Sequence, residues 1–250
     1  MRGKDAAKVK FNLDRRLVTV TGKLPEKSAV LDTLAQPDPT GAACALIGGV
    51  FAETTETVPE RDPDAVLESQ PLSVVLPTCL KPSDNHLAEQ IVLTAAWTKW
   101  QTDPGPRTGA FGYGTVANIA KTFFGSYVNA TDLDVHLVDG SGMSRHNLLT
   151  SRFLARVLRQ AGRQGYAKVF LDSLPKPGEG TLKGRLAGLP VAAKTGTLDG
   201  VTSLSGYLWP GSSEPWTFSI VCNHTVVGAA KVRAVQDKIV KALVDSRKQP

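Results

Sequence analysis

Cysteine is scarce in this chain and badly placed for either of its structural uses. Cys44, Cys79 and Cys222 are odd in number and far apart, with no Cys-x-x-Cys and no histidine at ligand spacing, which argues against a disulfide framework and against a metal site. No apolar run reaches the roughly 18 residues of a transmembrane helix. Met1-Arg2-Gly3-Lys4-Asp5 is not followed by the apolar stretch of a secretory signal. Read as a natural start, that N-terminus implies a cytoplasmic chain; read as an internal boundary, it implies nothing. Gly112-Tyr113-Gly114 does not follow a strand, so it is no phosphate cradle. The basic residues lack the interleaved aromatics of a nucleic-acid-binding surface, so no nucleic acid is expected as a partner. No cofactor is expected either, and internal repeats and low-complexity tracts are missing.

What remains is a globular composition: 250 residues, 42% hydrophobic and 21% charged, enough for one sizeable domain or one domain plus part of a second. The net charge of +6 and a pI near 9.3 favour anionic polymers without choosing among them. Residues 11–24 alternate around Leu17, Val18 and Val20 and read as one strand with little nearby to pair with. Residues 40–51 resemble a short buried helix, and the Glu-, Thr- and Pro-rich stretch 53–63 reads as a linker, which divides the chain into 1–60 and 61–250. Leu87, Ile91, Val92 and Ala95 predict a helix, Val116, Ile119, Ala120, Phe123 and Tyr127 a second, and Val135 and Leu137 a strand. Phe153, Leu154, Val157 and Leu158 form the apolar side of a third helix, whose other side carries Arg152, Arg156, Arg159 and Arg163, read as a solvated face. Residues 191–198, 201–209 and 217–222 predict three strands, the first two joined by Asp199-Gly200 in a type I′ turn. Val232, Val235, Ile239 and Leu243 make the stripe of a final helix. Helices followed by an antiparallel meander indicate an α+β or mixed α/β fold.

Acyl transfer through a serine hydroxyl needs a base, donors for the oxyanion, a proton route to the leaving amine, and a cation if the substrate ends in a carboxylate. Ser83-Asp84-Asn85, at the mouth of a helix, and Lys194-Thr195-Gly196, just before a hairpin turn and 111 residues later, can supply most of these. Lys194 and Thr195 offer an ammonium and a hydroxyl to a carboxylate, and Gly196 lets a ligand lie close to the backbone. Each triplet alone is weak, since Ser-Asp-Asn before a helix is commonly a cap. Their order, spacing and hairpin context strengthen both.

Together they match the second and third motifs of the penicillin-interacting serine acyl-transferases. The blocks 80–90, 138–147, 173–175 and 180–186 resemble successive segments of the D-alanyl-D-alanine carboxypeptidase/endopeptidase family of low-molecular-mass penicillin-binding proteins, peptidase family S13. That resemblance runs from about residue 65 to the C-terminus. Residues 11–60 look like the tail of the domain this family inserts between its first and second motifs. The resemblance implies the C-terminal part of a β-lactamase/transpeptidase-like fold and a periplasmic or extracytoplasmic serine peptidase that acts on peptidoglycan stem peptides and binds β-lactams. It further implies that Ser83 relays a proton toward the leaving amine and that Asn85 orients the substrate amide. Lys194 and Thr195 would hold the terminal carboxylate, and the Thr197 N–H would be one oxyanion donor.

The Ser-x-x-Lys of the family's nucleophile is missing from its expected place, so the chain is expected to be truncated and inactive by itself. A literal Ser173-Leu174-Pro175-Lys176 does occur, but Pro175 and Pro177 are incompatible with the helix that would face serine and lysine together. The rival reading is a non-catalytic remnant that binds cell-wall peptide or a protein partner. His146 is expected to hold its loop by hydrogen bonds, and Trp97, Trp100, Trp209 and Trp216 to serve core or interface.

Overall fold

The computed structural model describes residues 8–12, 17–21, 46, 68–103, 111–211 and 214–246. The chain divides into two units, Met1–Val66 and Leu67–Pro250. In the first, β1 (Lys8–Asn12) pairs antiparallel with β2 (Leu17–Thr21), Lys8 opposite Thr21 and Asn12 opposite Leu17. The single strand expected over 11–24 is thus half of a hairpin. Its partner, Lys-Val-Lys-Phe-Asn, lies mostly before the stretch read as a strand. The helix expected over 40–51 lies outside the described residues except for Leu46, which is helical and exposed; the linker at 53–63 lies outside them entirely.

The second unit is organised around a three-stranded antiparallel sheet, in the order β5 (Val191–Leu198), β6 (Val201–Leu208), β7 (Trp216–Cys222). Alternation of side chains lets both of its faces be buried. On one face, Val191, Ala193, Leu204, Leu208 and Phe218 pack with Leu182 and Leu186 and with Val240 and Val244 of the last helix, α6 (Ala229–Asp245). On the other, Ala192 and Tyr207 pack with Leu158 of α4 (Ser151–Ala161) and with Leu174, which follows α5 (Ala167–Ser173). Gly206 is required here, because a methyl at this position would collide with the Ala192 carbonyl on the neighbouring strand. The mixed helix-and-sheet class expected from the sequence is the one observed.

The remaining helices are α1 (Leu72–Leu80), α2 (Asn85–Thr102) and α3 (Tyr113–Val128), and β3 (Val135–His136) pairs with β4 (Leu148–Leu149). Neither α1 nor α5 was expected. The Pro77 in α1 and the brevity of α5, seven residues, hide both from helical periodicity. Three expected faces are displaced. Ala96, not Ala95, is the buried alanine of α2. Phe123 is exposed and stacks on Tyr127, while Phe124 turns inward onto Phe153. In α6 the buried stripe is Val232, Gln236, Val240 and Val244, with Val235 and Ile239 exposed.

Arg156 also departs from the solvated face assigned to it. It donates to the carbonyls of Val128 and Asn129, which end α3, and pairs with Asp134, so it caps a helix C-terminus. Arg152, Arg159 and Arg163 are exposed as expected.

Candidate active site

Three segments converge at the exposed end of β5. The first is the turn between α1 and α2. The Asp84 carboxylate caps α2 by accepting from the Leu87 N–H at 2.9 Å, and the Asp84 N–H returns to the Cys79 carbonyl. Between them Ser83 is forced to φ +68°, the left-handed region that disfavours a residue with a Cβ. That conformation aims its hydroxyl at β5. The Lys194 ammonium donates to Ser83 Oγ at 2.7 Å and to its neighbour's carbonyl, Thr195 O, also at 2.7 Å.

Burial lowers the Lys194 pKa below its ordinary value, an effect opposed by the nearby Cys79 thiol. Cys79 itself is free and buried, and desolvation chiefly, with the Asp84 charge, pushes its thiol up. The Ser83 hydroxyl accepts from an ammonium, so its own proton must be directed elsewhere. A hydroxyl in that state can donate onward to a departing amine and be resupplied by the lysine behind it.

The second segment is residues 176–186. The Thr181 N–H donates to the Lys81 carbonyl at 3.0 Å, and Lys81 Nζ pairs with Glu179 at 3.0 Å, which ties this loop to the Ser83 turn. The Thr195 hydroxyl, on the face of β5 opposite Lys194, donates to Thr181 Oγ1 at 2.8 Å. Sequence reasoning gave Thr181 no role. Its position within the 180–186 block was the available signal. Beyond it, Arg185 reaches α6, donating to Asp237 at 2.7 Å and to Gln236 Oε1 at 3.3 Å.

The third segment is the loop 139–147. The Asp139 carboxylate accepts from the N–H groups of Gly142 and Ser144, both at 2.6 Å, and from Asn147 Nδ2 at 2.8 Å. Glu89 of α2 accepts from the N–H groups of Gly140 and Ser141 at 3.0 and 2.9 Å. Desolvation would raise the Glu89 pKa, but these bonds and one from the Ser141 hydroxyl outweigh it and hold the carboxyl below its ordinary value. Asp139, Asn147 and Glu89 therefore hold this loop. His146, expected to do so, joins among the described residues only through its backbone N–H, to Ser144 Oγ at 3.2 Å. Arg145 spans to the Asp199 carbonyl at 3.0 Å, joining the loop to the β5–β6 turn. In that turn only Gly200, at φ +70°, has a positive φ, so the expected type I′ turn, which needs it at both central residues, is not formed.

The predicted residues are thus unequally assembled. Ser83, Lys194 and Thr195 form a connected cluster. Asn85 stands exposed at the first position of α2, and among the described residues no hydrogen bond links it to Ser83 or Lys194. Gly196 has a reason within the fold, since a Cβ there would run into the Ser203 hydroxyl on β6. Thr197 is exposed, and its Oγ1 accepts from Arg233 of α6 at 3.1 Å. Ser173 is not presented as a nucleophile: it is buried and donates to the Val169 carbonyl at 2.7 Å, whereas Lys176 turns to Asp172 at 3.4 Å.

The sequence model of the D-Ala-D-Ala carboxypeptidase 3 (S13) family matches residues 4–245. The chain belongs to this family. The match extends well before residue 65, where the resemblance read from the motifs begins. Among curated relatives, the D-alanyl-D-alanine carboxypeptidase of Actinomadura sp. (strain R39) is 34% identical over 91% of this chain and 45% of its own length. The D-alanyl-D-alanine carboxypeptidase DacB of Haemophilus influenzae is 29% identical over 60% of this chain and 31% of its own length. The chain thus spans less than half the length of these relatives. Penicillin-binding protein 4 (DacB) from Haemophilus influenzae, solved in complex with a β-lactam, shares the fold at a TM-score of 0.66 and 22% identity, covering 96% of this chain and 58% of that one. The TLA-3 extended-spectrum β-lactamase matches at a TM-score of 0.50 and 15% identity, over 70% of this chain and 63% of its own.

Proposed function

We propose that this S13 chain carries the leaving-amine and carboxylate ends of an acyl-transfer site that hydrolyses D-Ala-D-Ala and related peptidoglycan stem peptides through an acyl-serine intermediate, outside the cytoplasm, and that the same site takes β-lactams. The observation that carries this reading is the 2.7 Å bond between Lys194 Nζ and Ser83 Oγ, two side chains 111 residues apart. In this reading Ser83 passes a proton to the leaving amine, Lys194 and Thr195 receive the terminal carboxylate, Asn85 orients the substrate amide and the Thr197 N–H serves the oxyanion. Curated relatives named as D-Ala-D-Ala carboxypeptidases support it, as does a solved neighbour described as a penicillin G-acylated endopeptidase. We read residues 1–60 as the tail of an inserted domain with its linker, and 61–250 as the C-terminal portion of the transpeptidase-like domain.

Acylation in this scheme depends on a Ser-x-x-Lys helix that these 250 residues do not supply. A labelled penicillin should therefore leave the chain unmodified. Joined to a family segment bearing that motif, it should be labelled and should turn over acyl-D-Ala-D-Ala. Lys194→Ala should then reduce turnover on the order of a hundred-fold or more, as loss of one preorganised charge-stabilising donor does; Arg159→Ala, on an exposed helix face, should not. Labelling of the unextended chain at Ser173 would overturn the scheme. Equal turnover by Lys194→Ala would do the same, and binding of wall peptide without any turnover would favour the non-catalytic remnant.

A further inference from the structure

We propose that Arg233 is a positioning residue for the carboxylate of the ligand, acting through Thr197; this rests on the reading of the site given above. Thr195 and Thr197 lie two residues apart on β5, so their side chains share the sheet face that α6 covers. Arg233 lies on α6 and donates from Nη2 to Thr197 Oγ1 at 3.1 Å. A guanidinium only donates, so Thr197 Oγ1 is fixed as the acceptor in this pair and its proton is left to point away from Arg233. Thr197 is exposed at the open end of β5, where that proton is available to an incoming acceptor.

The helix segment that presents Arg233 is itself moored. Arg185 bonds Asp237, Gln236 Oε1 and the Arg233 carbonyl, and the buried Gln236 amide donates to the Thr202 carbonyl on β6, directly opposite Thr197. The stretch of α6 that carries Arg233 is therefore moored from two sides. Among the described residues no carboxylate pairs with Arg233, which leaves its charge available to an anion. Together with Lys194 on the other face of the strand, it makes the end of β5 cationic. The ligand feature recognised by such an end is a carboxylate, in either a D-Ala-D-Ala terminus or a β-lactam.

The test compares an N-acetyl-D-Ala-D-Ala peptide with its C-terminal amide, both titrated into this chain and followed by NMR. The wild-type chain should prefer the acid. Arg233→Met should weaken acid binding by about three- to ten-fold, the effect of one charge-assisted bond at a partly exposed position, and leave amide binding unchanged. Arg233→Lys should restore part of the preference, and Thr197→Val should remove most of the effect of Arg233→Met. Thermal unfolding of each variant separates misfolding from loss of recognition, and Thr197→Val, which leaves the α6 moorings intact, tests the idea if Arg233→Met does not fold. A wild-type chain that does not distinguish acid from amide overturns both this inference and the site assignment. A preference lost in Lys194→Ala but retained in Arg233→Met overturns this inference alone.

Discussion

The two sides of the candidate site are held by different forces. Lys194, Thr195 and Gly196 stand on a strand whose neighbours Ala192 and Ala193 are completely buried and whose sheet is covered on both faces. The Ser83 side is built from α2, which buries one residue in eighteen, and from a loop organised by carboxylates. Apolar burial stabilises the first side by about 1.5–3 kcal/mol per fully buried large side chain, and satisfied backbone donors stabilise the second by about 1 kcal/mol each. A stiff strand thus meets a helix–turn assembly whose geometry depends on hydrogen bonds, and the Lys194–Ser83 contact lies where they join.

Core truncation should expose the difference most strongly. Leu204→Ala removes a fully buried side chain from the centre of the sheet and should cost about 2–5 kcal/mol. Ile91→Ala, on the half-buried face of α2, should cost about 1 kcal/mol. Chemical denaturation of both variants measures this, and equal losses would abolish the distinction. Asp139→Ala should come next, at about 1–3 kcal/mol, because three donors lose their acceptor together. Hydrogen exchange should show that loss confined to residues 139–147 and leave the β5–β6 amides protected.

The same division governs how much of the structure was legible in the sequence. The β5–β6 hairpin could be read because Val191, Ala192 and Ala193 run into Lys-Thr-Gly and a two-residue turn, all local signals. The turn before α2 could be read because Asp84 caps the helix it precedes. The stripe of α6 was displaced because Gln236 is polar yet completely buried; the distant Arg185 and Thr202 satisfy its amide, and periodicity cannot foresee partners 51 and 34 residues away. Arg156 was misread for the same reason, its acceptors lying at the end of another helix. Thr181 and Arg233 touch the predicted residues directly; Thr181 was signalled only by its place in the 180–186 block, and Arg233 carries no local pattern. Apart from Lys194 and Ser83, which the motifs paired, the polar side chains that join distant elements were therefore the part the sequence concealed.

Smaller effects sharpen the contrast at the junction. Ser83→Ala and Ser83→Gly both remove the hydroxyl that meets Lys194, but only glycine relieves the strain of φ +68°. The glycine variant should be the more stable by about 1 kcal/mol, the usual difference for a non-glycine residue held left-handed. Equal stabilities would mean that the turn relaxes once the hydroxyl is gone, and that the lysine contact, rather than the Asp84 cap, imposes the conformation.

The smallest effect expected is a pH dependence that belongs to the strand side. Burial depresses the Lys194 pKa in the folded chain, with Cys79 opposing, while the unfolded chain titrates near the ordinary value of about 10.4. Between those two values the unfolded state binds more protons than the folded one, so stability should rise with pH across that window. Below it both states are protonated, and the buried ammonium is a constant cost against folding. Above it both are neutral, and the gain is complete. The informative quantity is the difference between the parent chain and Lys194→Met, measured by denaturation from pH 7 to 11. The methionine variant should lack the rise due to Lys194. If the difference is flat, the ammonium is as well solvated as a surface lysine, and the Ser83 and Thr195 bonds fully replace the water it lost.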